Sequence, residues 1–169
     1  MVTSFEKTAV LTPEEIADLT STERDKAVLL SKIVSTIGNY FQTDVCSLYL
    51  LNSTANELVL SATVGLRQDA IGKVRMKPGE GLVGLTAHKR KPVAVKNAPS
   101  HPEFKYFPEA GEDRFLSFLG VPVYDNGQFC GVLVVQTIEP REFSEEAIDT
   151  LAQAAELIGP LVHGLGEPG

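Results

Sequence analysis

The sequence predicts a mixed α/β sandwich, in which a central, mostly antiparallel sheet lies between two helical layers. Three observations predict this fold class. Short apolar runs of strand length recur along the chain, an amphipathic helical pattern stands near each end, and a glycine-rich helix start lies between the strands. The two long terminal helices are expected on one face of the sheet, with short helices and a long loop on the other.

The N-terminal part of the chain contains two predicted helices. Thr12-Pro13-Glu14-Glu15 predicts a short first helix, because a hydroxyl cap precedes proline at the first helical position and glutamate at the third. Thr20-Ser21-Thr22-Glu23 predicts the start of a second helix. One face of that helix carries the apolar residues Leu30, Ile33, Val34, Ile37 and Phe41. Residues 1–22 are interpreted as a helical extension to a domain of residues 23–162.

The middle of the chain alternates strand and turn signals. Asp44–Leu51 and Glu57–Val64 predict two paired strands joined by a polar turn. Lys73–Lys77 alternates charged and apolar side chains, which predicts an edge strand with one wet face. A short helix at Gly81–His88 and a brief strand at Pro92–Lys96 are expected to follow.

A long loop and a hairpin come next. Asn97–Asp113 is longer than an ordinary connection in a compact domain, which predicts a loop that is functional or mobile. Asn126-Gly127 then separates two apolar runs, Phe118–Tyr124 and Gln128–Thr137. Because both central positions of a tight hairpin turn need positive φ, Asn-Gly between such runs predicts a β-hairpin.

The last predicted helix begins after the cap residue Ser144. Its apolar stripe consists of Ile148, Leu151, Ala152, Ala155 and Ile158. Gly159-Pro160 is expected to kink or end the helix, because proline lacks the backbone donor that helix continuation needs. Residues 163–169 are expected to form a disordered tail.

Composition and charge limit the classes of function. The net charge of −7 and the isoelectric point near 5.0 disfavour nucleic acid and anionic membranes as partners. No apolar run approaches the roughly 20 residues that span a bilayer, and no signal peptide is evident, so a cytoplasmic protein is expected. Cys46 and Cys130 lie in apolar strand runs and are expected to be buried and inert. The three histidines lack the spacing of metal ligands, so neither a metal nor a cofactor is expected.

The segment Gly79–Gly84 matches the pattern G-x-G-x-x-G. A dinucleotide site needs this pattern after a buried parallel strand, whereas the strand predicted before it is charged at alternate positions and ends at Pro78. A tight turn that leads into a closely packed helix is therefore the preferred interpretation.

The order of these segments resembles a GAF domain, and the loop resembles that of nitrogen-branch phosphoenolpyruvate-protein phosphotransferases. The resemblance is carried by His101–Pro108 and by Gly111–Gly120, where Leu116 replaces a more polar residue. It implies a regulatory sensory domain for a small effector similar to glutamine or 2-oxoglutarate. The phosphotransfer histidine of that family lies in a separate domain, so no enzymatic activity is expected of this chain.

The resemblance also implies a ligand pocket between the sheet and the loop. Arg114 is the candidate for holding a ligand carboxylate, because its guanidinium matches that group bidentately; a surface ion pair with Glu112 or Asp113 remains an equal alternative. Ser117 either adds a hydroxyl to the pocket or is satisfied by the backbone. The remaining candidates are backbone donors at the start of the short helix and aromatic lid residues, namely Gly81, Leu82, Phe104 and Tyr106.

Two other functions stay open on this sequence. Some GAF domains reduce free methionine sulfoxide with cysteines in and around this loop, and the loop here contains none. A ligand-free dimerisation and signal-relay module is the other alternative. A homodimer through the terminal helices is expected in either regulatory case, because one sheet is expected to bury two such apolar faces only with crowding.

Overall fold

The computed structural model describes residues 11–111 and 115–168. Its helices are α1 (Pro13–Thr22), α2 (Lys26–Phe41), α3 (Gly81–Lys89) and α4 (Glu145–Gly164). Its strands are β1 (Val45–Asn52), β2 (Glu57–Val64), β3 (Arg75–Met76), β4 (Val93–Val95), β5 (Ser117–Asp125) and β6 (Gln128–Thr137). None of these described helices is both long and apolar enough to cross a membrane.

The six strands form one sheet in the order β3-β2-β1-β6-β5-β4, and each neighbouring pair is antiparallel. The long helices α2 and α4 cover the helix face, onto which Leu48, Leu119 and Leu133 project. The loop face carries Tyr49 and Phe118 and is covered by α3 and the connecting loops. The predicted α/β sandwich with terminal helices on one side is confirmed.

Several local predictions are confirmed in detail. Thr12 and Glu15 form a reciprocal capping box at the start of α1. Ser144 Oγ accepts a hydrogen bond from the Ala147 amide, which caps α4. Asn126 and Gly127 have φ values of 49° and 81°, so both positions of the β5–β6 turn have the positive φ that a tight hairpin requires.

The start of α2 differs from the prediction. Asp25, rather than the Thr20–Glu23 segment, is the cap, and its carboxylate accepts hydrogen bonds from Ala27 N at 2.9 Å and Val28 N at 3.2 Å. Thr20 and Thr22 instead belong to α1, where their hydroxyls donate to carbonyls of the preceding turn. Hydroxyl side chains serve a helix interior in this way as well as a cap, which explains the error.

Gly159 and Pro160 do not end α4, which continues to Gly164. Pro160 and Glu156 are both exposed, so the Glu156 carbonyl that loses its helical donor lies on the solvent side. Gly159 lies on the opposite, buried side, where an added Cβ would come within 1.8 Å of the Tyr124 carbonyl oxygen. Glycine is therefore required there by the close approach of α4 to β5.

The tail from His163 onward was expected to be disordered, and the described residues correct this. His163 belongs to α4, and its Nδ1 lies 2.8 Å from a carboxylate oxygen of Asp125. Glu167 accepts hydrogen bonds from the amide and hydroxyl of Ser53 at 2.9 and 2.8 Å. His163 thus contacts the end of β5 and Glu167 contacts the β1–β2 turn, and a sequence pattern does not show these partners.

One chain buries the apolar faces of both long helices. Ile33, Ile37, Leu151 and Ile158 are all 0 % exposed within one chain, so the sheet buries both apolar helix faces without a second copy. Small residues on α4, among them Ala155, allow the two helices to lie side by side. Dimerisation stays a prediction, and the crowding argument for it is wrong.

Gly159→Ala should destabilise the fold, because the added methyl meets the Tyr124 carbonyl. We expect a cost of about 2–3 kcal/mol, which lowers Tm by roughly 4–12 °C. Gly164→Ala is the matched control on the same helix, since an added Cβ there has nothing within 4 Å. The control should leave Tm unchanged or raise it slightly; equal Tm values for both variants would contradict the close packing of α4 on β5.

Candidate ligand pocket

A cavity lies between the loop face of the sheet, the start of α3 and the 97–111 loop, which runs from Asn97 to Gly111. It encloses about 380 Å³ of space free of protein atoms, part of it open to solvent. Its lining is mostly apolar and consists of Tyr49, Met76, Leu82, Val83, Ala98, Phe104, Lys105, Phe107, Phe118 and Gln136. This is the position predicted for the ligand pocket.

The cavity is narrow because loop side chains fill much of it. The volume that the centre of a water molecule can occupy inside it is only about 30 Å³, which is room for about two water molecules. The loop is fixed at both ends, where Ala98 N donates to Leu116 O at 2.6 Å and Arg67 N donates to Ala110 O at 3.2 Å. A ligand of amino-acid size therefore requires the middle of the loop to move outward while its ends stay in place.

The N-terminus of α3 supplies hydrogen-bond donors at the edge of the cavity. The first intrahelical bond runs from Gly84 N to Glu80 O at 3.1 Å, and Glu80 makes no side-chain cap. In the described part of the chain, the amides of Gly81, Leu82 and Val83 thus have no protein acceptor. Helix N-termini carry partial positive charge, so these donors suit a carboxylate.

Glu80 and Lys105 join the start of α3 to the loop. The Lys105 ammonium donates to the Glu80 carboxylate, which also accepts from Lys77 N at 3.0 Å. The hydrogen bond from Lys105, and then that from Lys77, lower the pKa of Glu80. Lys105 Nζ also lies 5.1 Å from the centroid of the Phe107 ring. This ion pair closes the loop over the cavity in the present conformation.

Gln136 is a polar residue of the cavity that the sequence reading missed. It lies on the central strand β6 with a 7 % exposed side chain, and its neighbours across the ladder are Val45 and Phe118. Among residues 11–111 and 115–168, no hydrogen bond involves its side-chain amide. Buried amides are normally paired, so this one is available to a ligand. A glutamine inside the apolar run from Gly131 was the signal in the sequence.

Ser117 is not brought to the cavity. Its hydroxyl donates to Lys96 O at 2.7 Å and accepts from Arg141 N at 2.7 Å. The guanidinium of Arg141 in turn donates to Phe41 O and Gln42 O at the end of α2. Ser117 therefore fixes the start of β5 to the helix layer, which is the alternative left open for it. Phe118, one residue on, faces the cavity instead.

The other predicted site residues divide into three groups. Gly81, Leu82 and Phe104 are at the cavity, and an added Cβ on Gly81 would lie 3.5 Å from Phe107. Tyr106 is 45 % exposed and outside the lining, where Phe107 takes its place. Arg114 lies outside the described residues, so its role stays a prediction.

Both cysteines lie on the helix face, away from the cavity. Cys46 is 0 % exposed, and burial raises the pKa of its thiol far above the ordinary value. Burial, with the nearby Asp125 carboxylate, raises the pKa of Cys130 to about 11. In the ranges that the structure describes, no three His, Cys, Asp or Glu residues group as metal ligands would.

A model of the GAF domain matches residues 25–160. The chain belongs to the GAF domain family. The phosphoenolpyruvate-dependent phosphotransferase system protein of Escherichia coli is 40% identical over 116 residues, covering 69% of this chain and 16% of the relative. The Nif-specific regulatory protein of Azospirillum lipoferum is 26% identical over 160 residues, covering 91% of this chain and 26% of the relative. The chain thus spans about a quarter or less of these curated relatives.

Solved structures agree with this family. The GAF domain of a phosphoenolpyruvate-protein phosphotransferase from Coxiella burnetii has a TM-score of 0.79 and 33% identity, covering 90% of this chain and 91% of the other. Type II free methionine-R-sulfoxide reductase from Thermoplasma acidophilum has a TM-score of 0.69 and 26% identity, covering 82% of this chain and 92% of the other. A phosphotransferase GAF domain and a methionine sulfoxide reductase therefore share this fold.

Neither thiol should react with an aromatic disulfide reagent in the native protein at neutral pH. Burial hides both sulfur atoms and keeps them protonated, and the thiolate is the reactive form. We expect both thiols to be labelled only after unfolding in guanidinium chloride. Rapid labelling of native Cys46 or Cys130, located by mass spectrometry, would contradict their burial.

Lys105→Met should loosen the loop, because it removes the ion pair with Glu80 and keeps an apolar stem of similar length. Amides of residues 103–107 should exchange hydrogen faster than in wild type at neutral pH, while Lys91→Met, at an exposed position, should change nothing. Since the pKa of Glu80 is lowered in the fold, the difference should vanish as the pH falls through that pKa. Identical exchange at neutral pH would show that the pair does not hold the loop.

Proposed function

We propose that this chain is the sensory part of a signalling protein and binds a small cytoplasmic effector similar to glutamine or 2-oxoglutarate. The observation that carries the proposal is the cavity itself, where α3 donors and the Gln136 amide, all without a partner among the described residues, meet an apolar lining. Relatives that belong to phosphotransfer and nitrogen-fixation regulation support a regulatory role. Control of nitrogen-linked phosphotransfer is part of the proposal.

Binding would begin with opening of the loop. Exposed ion pairs contribute about 0–1 kcal/mol, so separating Lys105 from Glu80 is a small cost. The ligand carboxylate would then accept hydrogen bonds from the α3 amides and, by the family resemblance, from Arg114. The apolar part of the ligand would lie against Met76 and Phe118, and Phe104 and Phe107 would close over it.

Strand β5 would carry the signal to α4. Phe118 lines the cavity, while Leu119 and Val121, next along the same strand, pack against the helix layer. The Tyr124 carbonyl at the end of β5 is the contact that requires Gly159 on α4. A shift of β5 on ligand binding would thus move the point where α4 is held most closely.

A ligand-free relay is the second candidate, and the small space inside the cavity favours it. In that case Phe104, Lys105 and Phe107 are permanent filling rather than a lid. A methionine sulfoxide reductase gains no support from the described residues, since both cysteines are buried on the helix face and none lies in the cavity lining.

Calorimetry with glutamine and with 2-oxoglutarate tests the sensor. We expect saturable heat with at least one of them in the wild type. Arg114→Ala should weaken that binding about ten- to hundred-fold, because a charge-assisted hydrogen bond in a closed site contributes about 1.5–3 kcal/mol. Arg24→Ala, at an exposed position, is the control and should bind like wild type.

Three outcomes separate the alternatives. A lower Tm with unchanged affinity in Arg114→Ala would assign Arg114 a structural role only. If the wild type gives no heat with either ligand and no shift in a wider thermal screen, the sensor is rejected in favour of the relay. That screen covers amino acids, oxo acids and nucleotides. Turnover of free methionine sulfoxide would reject both regulatory proposals.

A further inference from the structure

The carboxamide of Gln136 has one hydrogen-bond donor group and one acceptor side by side, and neither is used by the part of the chain that the structure describes. Its side chain is 7 % exposed and lines the cavity, and no described residue accepts from it or donates to it. An unpaired group of this kind lowers the stability of the fold unless a ligand or water forms hydrogen bonds with it. At this position the cavity therefore favours a ligand group that can form hydrogen bonds, whereas the rest of the lining is mostly apolar.

The backbone holds this amide firmly in place. Gln136 pairs with Val45 of β1 on one side and with Phe118 of β5 on the other, and both neighbours are buried. Its carbonyl also accepts from Asp44 N at 3.0 Å. The side chain can rotate within the cavity, but in every rotation it presents one donor and one acceptor.

We propose that Gln136 is the specificity-determining residue of this site and selects ligands that carry a neutral carboxamide over the corresponding carboxylates. A ligand amide forms two reciprocal hydrogen bonds with it, N–H to C=O in each direction. A carboxylate in the same place accepts one bond and sets its second oxygen against the Gln136 carbonyl oxygen. The inference rests on the proposed function, and it names the ligand group that distinguishes an amide effector from an acid one.

The charges around the cavity agree with this preference. Among the described lining residues, Lys105 is the sole charged group, and Glu80 already neutralises it. The α3 amides are assigned to one carboxylate of the ligand. A second carboxylate at Gln136 would therefore have no cation beside it among the described lining residues. A carboxamide is neutral and needs no cation.

Calorimetry on matched amide and acid pairs tests the proposal, with glutamine against glutamate and asparagine against aspartate. The variant is Gln136→Met, which keeps the length of the side chain and removes its hydrogen bonding. Gln128→Met on the same strand is the control, because Gln128 is exposed and outside this cavity. Since the Gln136 amide has no partner among residues 11–111 and 115–168, Gln136→Met should keep the wild-type Tm, which shows that the variant is folded.

We expect the wild type and Gln128→Met to bind the amide member at least about tenfold more tightly than the acid. In Gln136→Met that ratio should fall to near one, because binding of the amide weakens and binding of the acid changes little. An unchanged ratio in Gln136→Met, or a wild type that prefers the acid, overturns the role of Gln136 and leaves the sensor in place. A wild type that binds no compound in the wider screen overturns the proposed function, and this inference with it.

Discussion

The alternation of side chains along β1, β6 and β5 is the constraint on which the other features depend. These central strands are covered on both faces, so each step of one residue moves a side chain from the helix layer to the cavity. On β6, Leu133 and Val135 face the helices, whereas Val134 and Gln136 face the loop. A one-residue slip of β6 would bury the Gln136 amide under α4 and place an apolar side chain in the cavity. The register therefore secures the core and the site together.

The cavity combines a rigid floor with a cover that is held weakly. The floor consists of strands whose residues are almost fully buried, and such closely packed regions open only with the whole domain. The cover is the 97–111 loop, whose ends are hydrogen-bonded and whose middle is held mainly by the exposed Glu80–Lys105 pair and two aromatic rings. This difference in local stability would let the proposed ligand enter without disturbing the floor of the cavity.

Sequence patterns were sufficient for the elements whose signals are local. The Thr12–Glu15 capping box, the Asn126-Gly127 hairpin and the Ser144 cap each depend on residues within four positions of one another. The helical stripe around Ile33 and Ile37 depends only on periodicity. Together with the strand runs, these local signals were enough to predict the layers of the sandwich, whereas the family resemblance implied the place of the pocket.

The features that sequence patterns missed depend on the partner that a residue meets in three dimensions. The sequence left open whether the Ser117 hydroxyl enters the pocket or is satisfied by the backbone, and the choice depends on Lys96 and on Arg141 from a distant loop. Pro160 is tolerated because the carbonyl it leaves free lies on the solvent side. Tyr106 and Phe107 are equivalent aromatic residues in a loop without periodicity, so the sequence had no means to choose which one turns inward.

The contact between α4 and β5 limits how a structural change in the cavity could be transmitted to the helix layer. An added Cβ on Gly159 would lie 1.8 Å from the Tyr124 carbonyl, so helix and strand backbones touch there and cannot slide past each other freely. Phe118 in the cavity and Tyr124 at this contact belong to the same strand, and a hydrogen-bonded strand transmits a displacement along its axis better than a loop does. His163, one turn beyond Gly159, is bonded to Asp125 at the end of that strand. The end of α4 is therefore held by contacts with β5, at Gly159 and at His163, and these contacts are where a displacement of β5 would reach the helix layer.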